Sequence, residues 1–243
     1  MGSTKAKWRA GQLAFYDGAT HETVEPMSPI IMMDDFFGTA LNGDIWTLIN
    51  AGGGSTAQAA SVLTCDGVVA GATDENGIYG SDDKAWNADK GFIFEARLAV
   101  TQAPTVGTEI MIGVQNDNYA TGANRVLIAD EIAIFAAFGF YTTVGAGLVA
   151  QIRTDDGAND SGIITSGVTS VLGTYQIFRM DFTDVSNVLF YIDGVGVATG
   201  TTFDMSTGAA VMFQPIVIGQ KVGVDAGLVT FALDYVKMWQ PTR

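Results

Sequence analysis

Few residues of this 243-residue chain are equipped for chemistry. His21 is the only histidine, so a Ser-His-Asp relay would have to use it. It lies in the polar stretch Ala19-Thr-His-Glu22, and the chain contains no Gly-x-Ser-x-Gly string to supply a nucleophile. Cys65 is the only thiol; it cannot close an internal disulfide, and one His with one Cys is not a zinc set. Its apolar setting, Ser61-Val-Leu-Thr-Cys65, suits a small buried hydrophobe. Hard oxygens are grouped in Asp155-Asp-Gly-Ala-Asn-Asp160 and Asn116-Asp-Asn118. Asp155, Asp156 and Asp160 are therefore candidates for a structural calcium ion, although the spacing is not that of an EF-hand. Such runs also form ordinary turns in which the side chain bonds its own backbone, and we expect no resident cofactor. Gly52-Gly-Gly-Ser55 has no following Lys and is not a phosphate loop. Trp46, Trp86 and Trp239 are the candidate rings for stacking on a sugar, Trp46 and Trp86 foremost, against the plainer role of core or interface anchors.

The charge balance narrows the partners. Net charge is −14, which opposes nucleic acid, whose phosphates need clustered Lys and Arg. Lys5, Lys7 and Arg9 fall within the first nine residues, leaving nine basic against 26 acidic residues in the remainder, a net of −17. A small basic arm thus precedes an acidic body. Its anchors, Trp8, Phe15 and Tyr16, together with Lys5, Lys7 and Arg9, form the expected partner-docking element, steered by charge. No apolar run approaches the roughly 20 residues of a membrane helix, so no membrane partner is expected. The N-terminus has no apolar leader core, and the expectation is a protein made in a host cytoplasm.

The elements that must position these residues read as strands. Residues 1–33 carry scattered aromatics, Asp17-Gly18, Pro26 and Pro29, which predicts an extended N-terminal arm with a hairpin turning at Asp17-Gly18. From Asp34 the pattern has period 2. Phe92, Phe94, Ala96, Leu98 and Val100 share one face, with Glu95 and Arg97 on the other. Ile110, Ile112 and Val114 align, as do Phe178, Met180 and Phe182. Asn187–Ala198 turns at Asp193-Gly194, the dipeptide of a type I′ hairpin. The last strand, residues 230–239, is apolar on both faces and is expected to lie centrally. Charged residues are only 16 %, and 30 glycines punctuate the strands. The expected architecture is all-β, a two-sheet antiparallel sandwich over residues 34–243 behind the arm at 1–33.

Three stretches in this order, Phe92-Ile-Phe-Glu-Ala-Arg97, Val188-Leu-Phe-Tyr-Ile-Asp-Gly-Val195 and Leu233-Asp-Tyr-Val-Lys-Met-Trp-Gln240, resemble the concanavalin A-like jelly roll of legume lectins, laminin-G modules and laminarinase-type glucanases. Glucanases of that fold carry their acids on one strand as Glu-x-Asp-x-x-Glu. The nearest string here is Glu131-Ile-Ala-Ile-Phe-Ala136, with Ala133 and Ala136 in place of the second and third acids. A two-step glycosidase needs a pair of carboxylates, so the expectation from this string is a non-enzymatic protein. The arm segment Phe15-Tyr-Asp-Gly-Ala-Thr-His-Glu22 resembles the openings of tailed-phage virion proteins. That resemblance implies a decoration or stabilising protein on the capsid surface. It would dock on the major capsid protein or other virion proteins and assemble as a homo-oligomer. The alternative is a carbohydrate-binding, lectin-like module exposed on the particle for host attachment.

Overall fold

A computed structural model of the chain describes residues 4–9, 12–17, 23–24, 30–67, 74–127, 129–142, 147–207, 212–221 and 229–241, with side chains from residue 30 onward. The arm forms β1 (Thr4–Arg9), β2 (Gln12–Asp17) and β3 (Thr23–Val24), a three-stranded antiparallel sheet. The chain reverses twice within the arm. Arg9 pairs with Gln12 and Thr4 with Asp17, so the chain reverses across residues 10–11. It reverses again between Asp17 and Thr23, since β2 pairs with β3 at Phe15↔Val24 and Tyr16↔Thr23, as the expected turn after Asp17 requires; residues 18–22 of that connection lie outside the described residues.

The rest of the described chain contains β4 (Ile30–Asp34), β5 (Thr47–Ala51), β6 (Ser55–Ala59), β7 (Val62–Asp66), β8 (Glu75–Tyr79), β9 (Trp86–Asn87), β10 (Ile93–Gln102) and β11 (Thr108–Gln115). There follow β12 (Ile134–Tyr141), β13 (Val149–Asp156), β14 (Ile164–Thr169), β15 (Gln176–Asp181), β16 (Leu189–Ile192), β17 (Val195–Val197), β18 (Met212–Lys221) and β19 (Thr230–Gln240). Sheet I runs β14-β13-β12-β11-β18-β8-β5, with β9 added to β18. Sheet II runs β17-β16-β15-β10-β19-β7-β6, with β4 added to β19. All pairings are antiparallel. The expected two-sheet sandwich is therefore the observed one.

Period-2 alternation sends one side chain in two into the shared core. Phe94, Ala96, Leu98, Phe178, Met180, Phe190, Val236 and Met238 come from sheet II; Ile110, Ile112, Val114, Phe138, Phe140, Ile152 and Val217 come from sheet I. Phe138 stands edge-on to Phe178 and Phe190, with ring centroids 5.2 and 5.1 Å away. Cys65 is buried in this layer, where loss of hydration pushes its thiol far above the usual range, so it stays a neutral hydrophobe. Asp193 (φ 52°) and Gly194 (φ 78°) make the turn between β16 and β17 as the sequence requires. The central position of β19 is also observed: it pairs with β10 on one side and with β7 and β4 on the other.

Phe138→Ala should destabilise the chain by about 3–5 kcal/mol, because it empties the joint between the sheets. Chemical denaturation checks this; a loss below about 1 kcal/mol would mean that the two layers do not meet there.

Candidate functional site

Each sheet has an outer face as well as a core face, and the two outer faces differ. On sheet I the outward residues are not polar. Met111, Phe135, Ala137, Ile216 and Ile218 are fully buried and form a second cluster with Ile49. Their cover is the β11–β12 connection, residues 116–133, which lays Val126, Leu127 and Ile132 onto the sheet with Tyr119 beside them. Gly139 leaves room for this: a Cβ there would meet the Leu127 side chain and the Ile110 carbonyl.

Polar residues of the sheet bind the backbone of the cover. Glu75, Gln220 and Glu109 stand in one row across β8, β18 and β11. The Glu109 carboxylate accepts the N–H groups of Val126 and Leu127, each at 3.0 Å. Glu75 accepts Gly122 N–H at 2.8 Å and the Tyr119 hydroxyl at 2.6 Å. Gln220 Nε2 donates to the Asn124 carbonyl at 2.9 Å, and Arg153 Nη1 donates to the Val126 carbonyl at 2.6 Å. The Tyr119 ring stacks on Tyr79 with centroids 4.7 Å apart. Burial and the Glu75 carboxylate push the Tyr119 hydroxyl up, so it remains a donor.

Glu131 belongs to the same cover. Its carboxylate is gripped by Arg125, through Nη2 and through Nε at 2.7 Å. Burial works to raise the Glu131 carboxyl, but the Arg125 bonds and charge hold it below the usual range. Ala133 is exposed, and Ala136 faces the core between the sheets.

The other sequence candidates are redistributed. Trp46 and Trp86 are 2 % and 4 % exposed, which corrects the sugar-stacking expectation for these two rings. Trp46 packs on Phe36 and donates its Nε1–H to Asp34 at 3.0 Å; Trp86 meets Phe92 edge-on. Both rings are worth more as core volume than as platforms. Asp155 and Asp160 gather with Asp130, one oxygen of each lying within 4.8 Å of the others. Arg153 already reaches Asp160 at 2.7 Å and Asp130 at 3.1 Å, placing a guanidinium where a cation would sit. Asp156 points elsewhere and accepts the backbone of Ala158, Asn159 and Thr207. These are the ordinary turn roles open to the run. Lys5, Lys7, Trp8, Arg9, Phe15 and Tyr16 lie on β1 and β2, and their side chains fall outside the described residues.

The outer face of sheet II is open. Reading across β4, β19, β10, β15 and β16, one row holds Ile31, Trp239, Ile93, Asp181 and Leu189; the next holds Met33, Lys237, Glu95, Arg179 and Tyr191. A third row aligns Tyr235, Arg97 and Ile177. All of these are half-buried or exposed. Every cation on this face lies over a ring: Arg97 over Tyr175 at 4.7 Å, Lys237 over Trp239 at 4.5 Å, and Arg179 between Tyr191 and Trp239 at 5.5 and 5.4 Å. Their charge is matched by Glu95, Asp181 and Asp234, Arg97 pairing with Asp234 at 2.5 Å. Tyr235 donates to Glu95 at 2.8 Å, and burial with that carboxylate pushes its hydroxyl up. Of these residues the sequence singled out Trp239 as a stacking ring and Glu95, Arg97, Arg179 and Asp181 as outward positions; the pairing register brings them together.

No family model and no curated protein matches the chain. Solved structures do. The laminarinase of Rhodothermus marinus is similar over 88 % of this chain and 99 % of its own, with a TM-score of 0.60 and 10 % identity. The carbohydrate recognition domain of Emp47p is similar over 87 % and 95 %, with a TM-score of 0.58 and 7 % identity. The pseudo β-1,3-glucanase Rv0315 of Mycobacterium tuberculosis is similar over 86 % and 98 %, with a TM-score of 0.56 and 12 % identity. The shared feature is the concanavalin A-like glucanase and lectin fold. The non-enzyme expectation is corrected by this finding, since laminarinase-type glucanases share the fold. The expectation rested on one strand's string, whereas Glu75 and Glu109 stand on the same sheet from other strands.

Two outcomes follow. Glu109→Ala removes the charged acceptor of two buried N–H groups and should destabilise the chain by about 2–4 kcal/mol, read by denaturation; loss below about 0.5 kcal/mol would mean the cover is not held there. Glu131, Asp156 and Asp160 have carboxyls held low in the fold. Their contribution is complete above the unfolded carboxylate values near pH 4 and is lost as pH falls through the lower folded ones. Asp155, raised by burial and then by Asp130 and Asp160, acts in the opposite sense. Stability should therefore fall as pH drops below about 4, and less steeply in Arg125→Ala, which frees the Glu131 carboxyl to titrate normally.

Proposed function

We propose that the chain is a carbohydrate-recognition module that binds through the outer face of sheet II. The observation that carries this reading is the combination on one open sheet face of Trp239, Tyr191, Tyr175 and Tyr235 with three cations and three carboxylates. Rings of this kind stack on the apolar faces of sugars, and planar charged groups of both signs bond vicinal hydroxyls. The face is neutral within a body of net −17, which suits an uncharged glycan. The neighbours support the same class, since they include laminarinases, a carbohydrate recognition domain and an O-glycanase. On sheet I the corresponding area is taken by residues 116–133.

A second reading is a structural protein of a phage virion, held on the major capsid protein at the capsid surface by its arm. It is favoured by one observation, the apolar side chains Ile31, Met33 and Phe37 that the chain leaves exposed where the arm joins the body.

Sedimentation with insoluble β-1,3-glucan and with mucin separates the two. The first reading predicts retention of the chain on one of them, weakened about tenfold by Trp239→Ala or Tyr191→Ala. Reducing ends measured in the same samples show whether binding is coupled to cleavage. Absence of retention on glycans, with co-sedimentation on capsids, would favour the second reading.

A further inference from the structure

β4 is an open edge. It pairs with β19 from Ile30↔Gln240 to Asp34↔Val236, and among the described residues its other side meets no strand. Exposed edges of this kind are templates for strand addition. This one is also apolar: Ile31 and Met33, alternate residues of β4, are 61 % and 57 % exposed.

The turn that follows is built to display a third anchor. Phe36, at φ 53°, is fully buried against Trp46, while Phe37 is thrown out to 83 % exposure. The turn is braced by Asp34 accepting Phe36 N–H at 2.8 Å, by Asp35 accepting Phe37 N–H at 3.3 Å, and by Gln58 donating to the Phe36 carbonyl at 2.7 Å. A rigidly presented aromatic beside an open edge loses little entropy on binding. Asp34 and Asp35 make the setting acidic.

The chain itself contains the complement. β1 is the edge of the arm sheet, paired only with β2 among the described residues, and it bears Lys5, Lys7 and Arg9 at alternate positions with Trp8 between them. Within one chain β1 and β4 do not pair, so among the described residues both edges are left open. We propose that β1 of one copy adds to the β4 edge of a second copy, over Ile31, Met33 and Phe37, and that the reciprocal contact closes a two-fold dimer. The basic arm meets the acidic body of its partner, which offsets the repulsion between two chains of net charge −14.

The test is the mass of the full-length chain in solution, by size-exclusion chromatography with light scattering, in about 0.05 M and about 0.5 M salt. The wild type should be a dimer at low salt and shift towards monomer at high salt. Phe37→Ser, whose ring makes no core contact, should be a monomer, and so should the triple charge reversal Lys5→Glu, Lys7→Glu, Arg9→Glu. A monomeric wild type at low salt overturns the proposal, as does a dimer that survives either change.

Discussion

The structure turns on one constraint: the outer face of sheet I is apolar and cannot be left in water. Met111, Phe135, Ala137, Ile216 and Ile218 would together expose a contiguous patch, and the chain covers them with its own residues 116–133. A connection laid on a sheet carries backbone N–H and carbonyl groups into a dry place, where each needs a partner. Glu75, Glu109, Gln220 and Arg153 provide those partners from the strands below. The buried carboxylates are thus explained by the cover, and the cover by the apolar sheet. Sheet II has no such layer among the described residues, and its outer face is the one that meets solvent.

Much of the sandwich was legible from alternation. Phe94, Ala96 and Leu98 point inward and Glu95 and Arg97 outward because a strand with period 2 has no other way to bury its apolar half. The Asp193-Gly194 turn was legible because few dipeptides tolerate two positive φ values. Asp155 and Asp156, which by type belong to a turn, instead complete β13. Pairing with Phe135 and Ile134 of β12 carries the strand two residues beyond what its composition suggests.

The site was less legible. Residues 116–133 have no period, so nothing in them announces that they lie on a sheet. β11 carries a signal of it: Ile110, Ile112 and Val114 face the core, and Met111, on the opposite face with Glu109, is apolar where a wet face would be polar. An apolar residue on the polar face marks a second covering layer. Trp46 and Trp86 misled because sequence gives a ring's chemistry without its depth. The rows on sheet II required the register, since Trp239, Arg179 and Tyr191 are neighbours only after β19, β10, β15 and β16 are aligned.

The buried polar row of sheet I requires the β11–β12 connection to be locked onto the sheet. Amide hydrogen exchange of Gly122, Val126 and Leu127 reports this residue by residue, because each N–H is held by Glu75 or Glu109. Protection approaching that of the β11 and β12 amides is the result the structure requires. Exchange as fast as in an exposed connection would mean that the face is open, and would return the groove of sheet I to the place now given to the face of sheet II.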